Sequence, residues 1–257
     1  MSGYYTTIFK YLVAAILLFG NPKCLPFSWT IRFYYMVVRY MVIPTLLQGK
    51  KDKKKLQPSE TADNEPSAAK PSVPASITEK DELKLFRSST WSSFANLLEI
   101  DANLHKSNST YFTDLDLART KLLLPLFRDF FVGHRLEMGR FPYVPLGSVM
   151  TVFRREIGPL QRYTVRSRVL GWDNKWLFVL SRFEIGGPSR DNVNAQLAAV
   201  ALSKYVFKDG RKTIAPEDAI HRANLDVSPA VLQRGRMDFE HAKSFLQSEA
   251  VMDLPMY

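Results

Sequence analysis

The sequence is poor in several residue types and patterns, and each shortage narrows what the chain can be. It has one cysteine, Cys24, which rules out an intramolecular disulfide and fits a reducing compartment. Its four histidines and that cysteine show no metal-ligand spacing, so no metal is expected. No Gly-x-Ser-x-Gly elbow is present, which argues against a serine hydrolase of the α/β type. Gly-x-Gly-x-x-Gly and P-loop patterns are missing too, and with them the usual nucleotide cradles. No internal repeat is visible. The apolar run from Tyr11 to Phe19, interrupted behind by Lys10, falls short of the ~20 residues that span a bilayer comfortably.

Acidic residues are scarce at the N-terminus. Residues 1–55 carry nine lysines and arginines against Asp52 alone, which accounts for +8 of the formal +10 charge. Basicity so confined, and set beside apolar sequence, suits a membrane surface and not nucleic acid. Phe27 to Leu47 is a second apolar segment, rich in aromatics, with Arg32 and Arg39 seven apart on one helix face. It reads as an interfacial helix whose arginines snorkel to head groups. Lys50 to Lys55 follows as a polybasic stop, placing that point on the cytoplasmic side. Residues 1–49 are thus expected to anchor the chain to a membrane. A cleaved signal peptide is a rival reading, but Gly20-Asn21-Pro22-Lys23 offers no small-x-small cleavage site. A second rival is that both apolar segments are buried in the folded domain. The polybasic stop and the Pro-containing, aromatic-free stretch, together residues 50–80, read as a linker and argue for separation.

Residues 81–257 have globular composition. The 46% of hydrophobic residues in the whole chain is enough for a packed core here. Trp91, Phe94, Leu97, Leu98 and Ile100 predict a first strand feeding into Asp101. Tyr111, Leu115, Ala118 and Leu122 share one helical face, with Asn108 as N-cap and Pro125 as stop or kink. A Gly- and Pro-containing connection is expected from Phe130 to Pro145. Strands are expected over 147–157, 163–170, 176–185 and 195–207, with Asp173-Asn174 as a hairpin turn. Ser228-Pro229 starts a C-terminal helix running to about Ser248. Long strands beside one helix predict an α+β architecture, a curved antiparallel sheet around a central helix.

Between the first strand and the helix lie Asp101, Asn103, His105, Ser107 and Asn108, a polar loop delivering a carboxylate and an imidazole to a helix N-terminus. The run Asp101-x-x-x-His105-x-x-Asn108-x-x-Tyr111-Phe112 resembles the signature of hotdog-fold acyl-CoA thioesterases of the 4-hydroxybenzoyl-CoA type. Asp114-Leu-Asp116-Leu-Ala-Arg119 is closer still to the membrane-associated branch called thioesterase superfamily member six. Leu104 stands where that signature has Gly, and Ser107 where it has Asn.

The resemblance implies a hotdog fold with N-terminal membrane helices and a C-terminal helix. It implies hydrolysis of fatty acyl-CoA thioesters without a cofactor, by a homodimer. It assigns the catalytic positions to Asp101, His105 and Asn108, with Asp101 as general base or nucleophile. Ser109, Thr110, Tyr111, Asp114 and Asp116 fall to substrate binding, and the N–H groups near Ser109 to Tyr111 to the oxyanion. The bland reading of Asp101 is a turn residue hydrogen-bonded to its own loop, that of His105 a structural role, and that of Asn108 a helix cap, while Asp114 and Asp116 lie near a helix start, where carboxylates are favoured anyway. The implied location is an intracellular membrane such as the endoplasmic reticulum, with the domain facing the cytosol. The alternative is a catalytically inactive hotdog module that binds acyl chains or protein partners at the membrane.

Overall fold

The computed structural model describes residues 2–19, 23, 25–46, 84–186, 195–225 and 228–247. The polybasic stop and the linker, residues 50–80, lie outside these residues. In chain order the elements are α1 (Ser2–Phe19), α2 (Ser28–Val37) running into a π-helical turn (Val38–Val42), β1 (Ser89–Phe94), a 3-10 turn (Leu97–Glu99), α3 (Asn108–Leu126) and α4 (Arg128–Met138). Then come β2 (Leu146–Phe153), β3 (Arg162–Trp172), β4 (Leu177–Ile185), β5 (Gln196–Tyr205), the small hairpin β6 (Phe207–Asp209) and β7 (Lys212–Ile214), α5 (Pro216–Arg222) and α6 (Pro229–Gln247).

Five strands form one antiparallel sheet in the order β1-β3-β4-β5-β2, and α3, inserted between β1 and β2 in the chain, packs on its inner face. This is the hotdog arrangement. Alternation explains it: Tyr163, Val165 and Val169 of β3 turn inward with Val179 and Phe183 of β4 and Ala199 and Ala201 of β5. Leu115 and Ala118 of α3 close one half of that core, and Leu122, Phe127 and Phe130 the other. Small alanines on β5 let the helix approach the sheet.

Four features differ from the sequence expectations or add to them. The first strand stops at Phe94, because Asn96 turns the chain. Its side chain accepts the N–H of Leu98 (2.9 Å), while Glu99 accepts that of Asn96 (3.1 Å), a capping box around a 3-10 turn. The expected connection after Phe130 is instead helix α4. Phe127, Phe130, Phe131 and His134 are all buried at helical spacing, and Gly139 ends the helix at φ 72°. Third, α6 lies across the outer face of β3, with Phe239 and Ala242 against Leu170, Phe178 and Leu202. A Cβ on Gly171 would stand 2.6 Å from the Gly235 carbonyl oxygen, and one on Gly235 2.7 Å from the Trp172 ring.

The fourth concerns the N-terminus. No helix among the described residues is long and apolar enough to cross a membrane. Nor does the second apolar segment stand apart from the domain: α2 and the π-helical turn pack on α3, with Met36 and Met41 buried. Met41 joins the core of Phe86, Leu122, Leu123 and Phe127. Apolar side chains on one side of the segment thus find a protein surface, while Ile31, Tyr34, Tyr35 and Val42 remain exposed on another.

Candidate active site

The motif turn folds as a miniature hairpin. Ile100 and Lys106 pair, the Asp101 N–H donates to the His105 carbonyl (2.9 Å), and the Leu104 N–H donates to the Asp101 carbonyl (3.1 Å). Asp101 Oδ1 accepts the Asn103 N–H at 2.9 Å, closing an Asx turn. Leu104 takes the left-handed conformation at φ 61°, the backbone geometry that glycine adopts without strain. His105 Nδ1 lies 3.5 Å from Asp101 Oδ2, and its Nε2 lies 4.0 Å from Glu156 Oε1.

α3 begins at Asn108, so Ser107 holds the cap position expected of Asn108, and Asn108 is the first helical residue. The Ser107 side chain makes no capping bond; its Oγ lies 3.1 Å from that of Ser109, and the Thr110 hydroxyl donates to the Ser107 carbonyl (2.7 Å). Ser109 is exposed and Thr110 half-buried. A cleft of about 280 Å³ opens at this helix start, lined by His105, Lys106, Asn108, Tyr111, Phe153, Arg154, Arg155 and Glu156. Asp101 is not among its walls: His105 stands between the carboxylate and the cleft. Arg154 and Arg155 also line an adjoining cleft of about 490 Å³ with Glu156, Gln161, Ile185 and Gln196.

Asp114 and Asp116, two residues apart, face different surroundings. Asp116 is half-exposed and pairs with Arg119 at 2.5 Å, while buried Arg119 also donates to Ser203 Oγ at 2.7 Å. Asp114 is wholly buried. Its Oδ2 accepts from Tyr163 OH and from Lys23 Nζ (3.0 Å), and Lys106 Nζ also lies 3.0 Å away. Glu99 Oε2 completes the group, 2.9 Å from Lys23 Nζ and 3.3 Å from Lys106 Nζ. Lys106 is within ion-pair distance of both carboxylates without hydrogen-bond alignment to either.

Two ammonium groups therefore balance two carboxylates in a dry pocket beneath the motif turn, as buried charges require. Burial pulls Lys106 below the ordinary lysine range, and the Lys23 charge adds to the fall against the opposing carboxylates. Burial, reinforced by Asp114, pushes Tyr111 up to about 12 and Tyr163 further up, so both phenols stay neutral. Among the described residues no group of three His, Cys, Asp or Glu side chains is arranged to hold a metal ion.

The structure thus brings His105, Asn108 and Tyr111 to one cleft, sets Asp101 behind His105, and puts Asp114 into the core beneath. Sequence reasoning passed over Glu99, Lys106, Tyr163, Arg154 and Arg155. Lys106 and Glu99 sit inside or beside the motif, where a charge next to a buried strand-like run was a usable signal. Nothing local in the sequence marks Lys23.

A model of the thioesterase-like superfamily matches residues 96–234, from the capping Asn96 to the first half of α6. A probable thioesterase of Saccharomyces cerevisiae is 36% identical over 220 residues, covering 85% of this chain and 81% of its own. The chain belongs to the thioesterase-like superfamily. Thioesterase lcsJ of Purpureocillium lilacinum is likewise 37% identical over 222 residues, 80% of this chain and 68% of its own. Among solved structures, the probable thioesterase YbaW of Escherichia coli aligns at a TM-score of 0.44 with 16% identity, covering 57% of this chain and 98% of that one. Within this thioesterase-like chain, the matched span holds the motif turn, the cleft and four of the five strands of the main sheet.

Proposed function

We propose that this chain hydrolyses acyl-CoA thioesters at a membrane surface, as a homodimer. The observation that carries the reading is the single cleft uniting the start of α3 with His105 and the arginine pair Arg154-Arg155. N–H groups of Ser109 to Tyr111 at the helix start suit the developing thioester oxyanion. The two guanidinium groups, shared with the adjoining cleft, suit the phosphates of coenzyme A. Asp101 supplies the anion behind the imidazole, and His105 presents its base to a water in the cleft. Attack of that water on the carbonyl gives the tetrahedral oxyanion. Its collapse breaks the C–S bond, the His105 imidazolium returns the proton to the departing thiolate, and the products are carboxylic acid, which ionises, and thiol.

The dimer is supported by β2, an edge strand of the sheet that exposes Leu146, Met150, Val152 and Phe153. An apolar edge of that kind otherwise invites aggregation. Attachment to a membrane, the endoplasmic reticulum or another with the domain toward the cytosol, is supported by exposed aromatic and aliphatic side chains. These are Tyr4, Tyr5, Ile8, Phe9 and Leu12 of α1 and Ile31, Tyr34 and Tyr35 of α2, side-chain types that suit a lipid interface.

The deciding experiment is acyl-CoA hydrolysis by the full chain, wild type beside Asp101→Asn. Turnover is expected to fall by roughly 10²–10⁴-fold with little change in melting temperature. A variant whose activity drops only in proportion to folded protein would make Asp101 the turn residue alone. A wild type without turnover, whose melting point acyl-CoA still raises, would make the chain a binding module.

A further inference from the structure

Lys23 reaches the motif from far outside it. Its ammonium shares its three N–H groups among four acceptors within hydrogen-bond reach: Glu99 Oε2 (2.9 Å), Asp114 Oδ2 (3.0 Å), Tyr163 OH (3.0 Å) and the Phe94 carbonyl (3.3 Å). Those acceptors belong to the 3-10 turn, α3, β3 and the end of β1, so one side chain ties four elements together. Its side chain is 3% exposed. The titratable groups facing it are Glu99, Lys106, Asp114 and Tyr163, with Tyr111 beyond Lys106.

We propose that Lys23 is a positioning residue for the active-site turn: it is the counter-charge that holds Glu99 against Asp114, and through Glu99 and Lys106 it sets where Asp101 and His105 stand. The route is short. Glu99 precedes Asp101 by two residues and Lys106 follows His105 directly, so both arms of the turn end in the buried charge group. Backbone bonds transmit the placement: the Ser107 N–H donates to the Glu99 carbonyl (2.7 Å) and the Lys106 N–H to that of Ile157 (2.8 Å). Without Lys23, one ammonium faces two carboxylates in a dry pocket. One of the carboxylates then takes up a proton, and Glu99, no longer bridged to Asp114, shifts and moves the turn with it. The N-terminal segment is then a working part of the active site as well as a means of attachment.

The activity arm of the test rests on the proposed hydrolysis; the folding arm does not. Full-length wild type, Lys23→Met and Lys23→Met/Glu99→Gln are unfolded in urea at a series of pH values, and acyl-CoA turnover is measured where each is folded. In Lys23→Met a carboxylate keeps a proton in the folded state at a pH where it has lost it in the unfolded chain. Its pKa is raised, so stability is present at low pH and lost as pH rises through the new value. The folding equilibrium constant should therefore fall by up to about tenfold per pH unit there, a dependence absent from wild type. The double variant restores neutrality and should return the flat profile, and with it a turnover number that Lys23→Met has lost by about tenfold or more.

A flat profile for Lys23→Met, or a slope that persists in the double variant, overturns the proposal. If Lys23→Met does not fold, recovery of folding by the added Glu99→Gln supports it, and failure of both overturns it. A wild type lacking turnover would refute the proposed function and leave the pH slopes to decide this one.

Discussion

Replacing Leu104 by glycine should stabilise the protein. Leu104 sits at φ 61° in the motif turn, and a side chain in the left-handed region costs about 1–2 kcal/mol. Glycine relieves that strain but loses more backbone freedom on folding, an opposing cost of about 0.5–1 kcal/mol. Little packing is lost, because Leu104 is 74% exposed. The balance favours Leu104→Gly by about 0.5–1 kcal/mol, a rise of roughly 1–4 °C in melting temperature for a domain of this size. Urea unfolding monitored by tryptophan fluorescence measures it, with Leu104→Ala as the control that removes the leucine but keeps a Cβ. The alanine variant should gain nothing. Equal gains in both variants would refute the argument, since the benefit would then come from losing an exposed leucine and not from relieving the backbone. A loss of stability in Leu104→Gly would refute it outright.

Gly235→Ala should destabilise by about 1–2 kcal/mol despite alanine's better helix propensity, because its Cβ would meet the Trp172 ring at 2.7 Å; chemical denaturation reads the sign directly. Tyr111 and Tyr205 are both pushed up to about 12, chiefly by burial, so the folded state holds phenol protons that the unfolded chain gives up near pH 10. Stability should be full below about pH 10 and fall by up to about 1.4 kcal/mol per pH unit for each phenol as pH rises toward 12. Tyr111→Phe should shallow that alkaline slope.

The hotdog sheet and its central helix were legible because alternation and helical spacing act locally. β3, β4 and α3 each turn one face to the core between them, and the residues on it repeat at period two or 3.6. The C-terminal helix announced itself through Ser228-Pro229. What escaped was set by tertiary contact. α4 was hidden by Gly133 and Gly139, although Phe127, Phe130, Phe131 and His134 already carried its period. The motif was found, but the placement of its parts was not, because nothing in the sequence shows that His105 lines the cleft while Asp101 stays outside its walls. Asp114 looked like a helix-start carboxylate, and it is buried because two lysines meet it, one of them 91 residues away. The linker made the N-terminus look independent. A linker says how far apart two segments lie along the chain and nothing of whether they meet in space.

That long reach also has a consequence in time. Lys23 and Tyr163 are separated by 140 residues, so at ~5–20 residues per second the ribosome delivers the second roughly 7–30 s after the first. Throughout that interval the charge group that buries Lys23 is incomplete, so the N-terminal segment has no folded domain to receive it. Docking of Lys23 must be among the last steps of folding.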